Sequence, residues 1–210
     1  MISLTFGVSG VRAEKHAAVP TLMFSLQIRE SAGRTIHAIL LRCQLQIEPR
    51  RRRYIPEEQE RLTDVFGESE RWSETLRPVI WNQSTINVPP FEGSTQLDLP
   101  VACTYDFDVT SAKYLAALDN GEIPLRFLFS GTVFVKSPHG FMVEQVPWDR
   151  EAVYRMPVAV WRELMESYFP GCAWIRVRHE TLDLLQRFRA KNGLTSWDEA
   201  IEAILAEAAL

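Results

Sequence analysis

The sequence has no long hydrophobic run. Nowhere in its 210 residues do eighteen successive positions stay apolar and uncharged, which excludes a membrane-spanning helix. Cysteine is scarce. The 3 cysteines, Cys43, Cys103 and Cys172, are far apart and odd in number. That excludes a disulfide frame and fits free thiols in a reducing cytoplasm, the expected compartment. The 4 histidines, His16, His37, His139 and His179, are scattered, and no Cys-x-x-Cys occurs, so no metal site is expected. The first ten residues, MISLTFGVSG, lack a basic start and a long apolar stretch, so no signal peptide is expected. Lysine is rare as well, 4 against 19 arginines. The net charge of −4 excludes a protein built to coat nucleic acid. Also missing are Gly-x-x-x-x-Gly-Lys-Ser/Thr, Gly-x-Gly-x-x-Gly and Gly-x-Ser-x-Gly, the loops that cradle phosphates or carry a nucleophile. No cofactor and no enzymatic activity are therefore expected.

What is present is an ordinary globular composition, 46% hydrophobic and 24% charged. Up to about residue 147 the pattern is that of strands. Leu22, Phe24, Leu26 and Ile28 alternate over the polar set Ser25, Gln27 and Arg29, and Ile39, Leu41, Cys43, Leu45 and Ile47 share one face of a longer run. The turn Ser31-Ala32-Gly33-Arg34 between them predicts a hairpin. Leu97 to Val109 alternates again, with Pro100 marking an edge, a bulge or a break into two strands. Ile123 to Val135 has apolar residues on both faces, which suits a central strand covered on two sides. A short helix opens at Pro56, carries Leu62, Val65 and Phe66, and stops at Gly67. Thr110 caps a second, and Arg71 to Pro90 reads as an irregular connection. From Pro157 the period becomes helical, with Val158, Trp161, Leu164 and Met165 on one face. The predicted fold class is α+β: an antiparallel β-sandwich over 1–147, then a helical C-terminal region over 148–210.

The segment IRVRHETLDLLQRFRAKNGLTSWDEAIEAIL resembles the ribbon-helix-helix unit of small bacterial repressors. It has a short strand from Trp174 to Arg178, a helix, an Asn-Gly turn, and a second helix opened by the capping box of Ser196 and Glu199. The resemblance implies strand pairing between two chains, hence a homodimer. It also implies reading of DNA by outward residues, here Cys172, Trp174, Arg176 and Arg178. A DNA-binding regulator is accordingly the alternative function. From Trp174 onward there are 5 basic and 6 acidic residues, whereas a DNA-facing surface carries a basic excess.

Over nearly its whole length the chain is also similar to a bacterial family known as a domain of unknown function. The stretches AEKHAAVPTL, LLRCQLQIEP, LPVACTYDFDV, GEIPLRFLFSGTVF, VEQVPWDREA and MPVAVWRELMESYFP carry the similarity. It implies a gene neighbourhood of uptake nickel-iron hydrogenases and an accessory role in their biogenesis. The implied partner is a hydrogenase subunit or a maturation factor, and no catalytic residue comes with it.

Four features are candidates for chemistry. Arg50-Arg51-Arg52-Arg53 either grips an acidic partner or neutralises the acidic helix that follows it. With Trp174, Arg176 and Arg178 these four form the expected partner-binding set. Cys43 and Cys103 fall on core faces, the usual place of a structural thiol, although two thiolates could hold a soft metal. Asp98, Asp106 and Asp108 share a polar strand face, which either is solvated or binds a cation. Trp72, Trp81, Trp148 and Trp174 sit in connections, where an indole plugs the end of a sandwich or anchors a partner.

Overall fold

The structure, a computed structural model, describes residues 2–104, 109–138, 140–172, 175 and 177–208. The chain divides into two units, 1–173 and 174–210. Among the described residues the first holds eight strands: β1 (Leu4–Glu14), β2 (Thr21–Glu30), β3 (Ile36–Ile47), β4 (Val79–Val88), β5 (Ser94–Ala102), β6 (Glu122–Ser137), β7 (Gly140–Gln145) and β8 (Glu151–Pro157). Its helices are α1 (Pro56–Phe66), α2 (Trp72–Thr75), α3 (Thr110–Ala117) and α4 (Val158–Tyr168).

All pairings are antiparallel. One sheet runs β1-β2-β5, and the other runs β4-β3-β6-β7 with β8 also on β6. Alternation decides which side of each strand is dry. Leu22, Phe24, Leu26 and Ile28 from the smaller sheet join one cluster with Ile39, Leu41, Cys43, Leu45 and Ile47 from the larger. Phe24 meets Phe127 edge-on at 5.3 Å, and Phe6 stacks on Phe129 at 4.4 Å. Each large side chain fully buried there contributes roughly 1.5–3 kcal/mol.

Several expectations change. The segment 31–34 does not close a hairpin, because β2 and β3 belong to different sheets. The chain crosses between sheets at Glu30, whose buried carboxylate accepts backbone N–H groups from Ser3, Ala32 and Arg34. Within the stretch 71–90 lies a ten-residue edge strand, β4. Pro100 stands in β5, which pairs with β2 alone, so its missing N–H costs no ladder bond. β5 ends at Ala102. Thr110 is the first residue of α3 and makes no side-chain cap, and the residue before the helix is Val109. β6 is central, but only its inner face is fully buried, and Arg126, Leu128, Thr132 and Phe134 on the other face are half-buried. The change of composition near 147 marks a turn within the first unit, since β8 pairs with β6 beyond it.

Gly131 makes the close approach of β6 to β3 feasible. Its φ is +143°, and a Cβ there would lie 2.1 Å from the Leu40 carbonyl oxygen. On the opposite side of β6, residues 122–128 pair with β8 and residues 132–137 with β7.

The second unit contains α5 (His179–Lys191) and α6 (Trp197–Ala208). Gly193 turns the chain between them at φ +67°. The capping box is present: the Glu199 N–H donates to Ser196 Oγ at 3.1 Å, and the Ser196 N–H to Glu199 Oε2 at 3.2 Å. The Arg189 guanidinium lies over the Trp197 ring at 4.2 Å. Of the strand expected over 174–178, the described residues Ile175, Val177 and Arg178 belong to no strand.

Candidate functional site

The expected arginine cluster divides. Arg52 is turned inward and holds the buried Glu58, donating also to the carbonyls of Asn120 and Glu122. It is an internal counter-charge, and its burial removes it from any docking surface. Arg51 reaches Glu48 at 3.3 Å and keeps about half its side chain in solvent. Arg50 and Arg53 are exposed. The run fails to form one patch because it does not continue β3: Pro49–Arg51 is a turn of 3₁₀ helix, which rotates successive side chains in different directions.

Trp174 and Arg176 lie outside the described residues, as do Asp106, Asp108 and His139. Arg178 is exposed just ahead of α5. Asp98 is taken by Arg12 through two hydrogen bonds, 2.9 and 2.8 Å. Cys43 lies in β3 and Cys103 just past the end of β5 in the other sheet, and burial pushes both thiols up to about 12. They are thiols at neutral pH, and no group of three or more metal-binding side chains forms among the described residues.

The four tryptophans separate clearly. Trp72 is buried in α2, and Trp81 packs half-buried against the core from β4. Trp148 is 93% exposed. Its turn lies where β6 passes from one neighbour to the other. The Val146 N–H donates to the Gly131 carbonyl at 2.9 Å, and the Phe129 N–H donates to the Arg150 carbonyl at 2.9 Å. The Arg150 N–H closes the turn on Pro147 at 3.2 Å. The backbone is thus tied on both sides of an indole that faces water.

Beside this turn lies a groove of about 570 Å³ on the outer face of the larger sheet. The ladders set its side chains in rows. Thr85, Arg42 and Ser130 stand across β4, β3 and β6, and Gln83, Gln44 and Leu128 form the next row. Leu40, two residues before Arg42, is 45% exposed on the same face. Ile80, Val143 and Val153 add further exposed apolar side chains to the sheet. Neither the arginine run nor the ribbon-helix-helix resemblance points to this face. The legible signals were the polar partners of the β3 alternation and Trp148 in a connection.

The sequence family described as "Family of unknown function (DUF6084)" matches residues 1–210. No curated protein matches the chain. Two similar solved structures are remote. One is a solution structure named as that of a late embryogenesis abundant (LEA) protein, with 11% identity and a TM-score of 0.33 over 74% of this chain and 70% of that one. The other is a β-glucosidase from Kluyveromyces marxianus, with 7% identity and a TM-score of 0.26 over 74% of this chain. The match spans only 15% of the glucosidase.

Proposed function

The chain belongs over its full length to that family of unknown function, and from this premise we propose that it is a non-enzymatic binding and assembly protein. In this reading the two sheets form a β-sandwich scaffold, and the outer face of the larger sheet receives a protein partner. The observation that carries it is Trp148, 93% exposed on a turn held by hydrogen bonds at both ends. An indole in water on a tied backbone turn, lining a groove with Leu128 and an arginine, has the composition of an interface anchor. The apolar side chains scattered along the same face supply the surrounding contact.

The setting we propose is biogenesis of a nickel-iron hydrogenase, with a subunit or maturation factor as partner. Deleting the gene should lower mature hydrogenase activity and leave general growth intact. Wild-type chain should restore the activity, and Trp148→Ala should not. Normal activity in the deletion strain would sink the setting, and full rescue by Trp148→Ala would sink the docking face.

A second reading makes residues 174–210 a DNA-binding element. Its support is the capped α5–α6 hairpin preceded by the exposed Arg178. Duplex binding that falls steeply with salt, and is abolished by Arg176→Ala with Arg178→Ala, would favour it. The charge balance of that segment argues against it.

A further inference from the structure

We propose that the groove on the larger sheet accepts an extended acidic segment of the partner, one Asp or Glu flanked by apolar residues, with Arg42 gripping the carboxylate. This rests on the outer face being the docking surface and names what docks there.

Charge points to the occupant. Half of the Lys and Arg side chains of the first unit are held in ion pairs, among them Arg12 with Asp98, Arg61 and Arg162 with Asp119, and Arg126 with Glu151 at 2.5 Å. Arg42 forms none of the ion pairs among the described residues, although it sits mid-sheet in a chain of net charge −4. The carboxylate on the adjoining row, Glu151 opposite Leu128, is held by Arg126 and leaves Arg42 unanswered. The other polar groups around Arg42 are uncharged: the hydroxyls of Thr85 and Ser130 and the amides of Gln44 and Gln83. A planar guanidinium among neutral donors is suited to a carboxylate fork.

Shape points to a segment rather than a small molecule. Arg42, Gln83, Thr85, Ser130 and Trp148 are all exposed, so the groove is an open strip. A site for a small ligand encloses most of that ligand's surface, which this one cannot do. Apolar groups lie on both sides of the cation along the strands, Leu40 on one and Leu128 on the other. An extended chain crossing the strip therefore meets an apolar, then a cationic, then an apolar position.

The test pans a phage-displayed library of random linear peptides on the immobilised full chain. Synthetic copies of the enriched peptides are then titrated against wild type, Arg42→Gln, Arg42→Lys and Trp148→Ala. Both positions are exposed, and unchanged melting curves confirm that the variants fold. The expected result is enrichment of Asp or Glu between apolar residues. Affinity should fall about tenfold or more in Arg42→Gln, in the range of a charge-assisted hydrogen bond, and less in Arg42→Lys. Replacing the peptide's acidic residue by its amide should cost wild type a similar factor and Arg42→Gln little. Peptides that need Trp148 but show no acidic enrichment and ignore Arg42→Gln would overturn the acidic-segment inference and leave the docking face standing. Peptides indifferent to both Arg42 and Trp148, or no enrichment at all, would overturn both.

Discussion

Arg52 Nη2 donates to Glu58 Oε1 at 2.6 Å, and the two side chains are 8% and 1% exposed. The same carboxylate oxygen accepts the Asp119 N–H at 2.9 Å. One ion pair therefore ties the segment after β3 to α1 and to the loop between α3 and β6. Removing one partner leaves the other buried and unpaired. Arg52→Ala should destabilise the chain by about 3–5 kcal/mol in urea unfolding. Arg50→Ser with Arg53→Ser should change it by no more than about 0.5 kcal/mol each, because both side chains are in solvent. Equal losses at all positions would contradict this division.

Glu30 is 3% exposed at the crossover between sheets. Burial alone would raise its pKa, but backbone N–H groups of Ser3, Arg34, Ala32 and Gly33 outweigh it and hold the carboxyl below its ordinary 4.5. A lowered folded-state value means the unfolded chain binds the proton first as pH falls. The stability from Glu30 is thus full above about pH 5 and is lost as pH drops through 4.5 toward the folded value. Glu30→Gln should cost about 1–3 kcal/mol at neutral pH. It should also flatten the acid limb of a stability profile measured by chemical unfolding at stepped pH. An acid limb identical to wild type would show that Glu30 ionisation plays no part.

The three cysteines should react unequally. Cys172 is exposed, whereas Cys43 and Cys103 are buried with thiols pushed up to about 12. At pH 8 a thiol reagent should label one cysteine in the folded chain and three in denaturant. Rapid native labelling of Cys43 or Cys103 would show that the core opens there.

The second unit buries one described residue, Ala200, and leaves Leu184 at 65% and Leu205 at 62% exposure. Thirty-odd residues with so little core fall below the size that usually folds alone. The full chain is expected to sediment as a dimer at micromolar concentration and a chain ending at residue 173 as a monomer. The shortened chain should keep its melting transition, since the hydrophobic cluster lies entirely within the first unit. A monomeric full chain would remove the case for self-association.

Residue patterns alone determined a good deal. Period-two alternation located β2 and β3 and told the core side of each, because burial on one face forces that spacing, whereas β6 was legible as a strand but not in its core side, because its apolar residues fall on both faces. Pro56 and Gly67 bracketed α1, and Ser196 with Glu199 opened α6, because those termini need particular backbone angles and caps. Other elements were hidden. β4 is an edge strand with an inner face only half-buried, so its alternation is faint. A short Gly turn reads alike whether it closes a hairpin or crosses between sheets, and Glu30 decides that through contacts with a segment 27 residues away. The site divides in the same way. The sequence put Ile39, Leu41, Cys43, Leu45 and Ile47 on one core face and marked Trp148 as an indole in a connection. Only the tertiary structure placed Ser130 beside Arg42 and Trp148 over their groove. Alternation is a local consequence of the pleat, whereas register is settled by ladder hydrogen bonds between residues far apart in the chain.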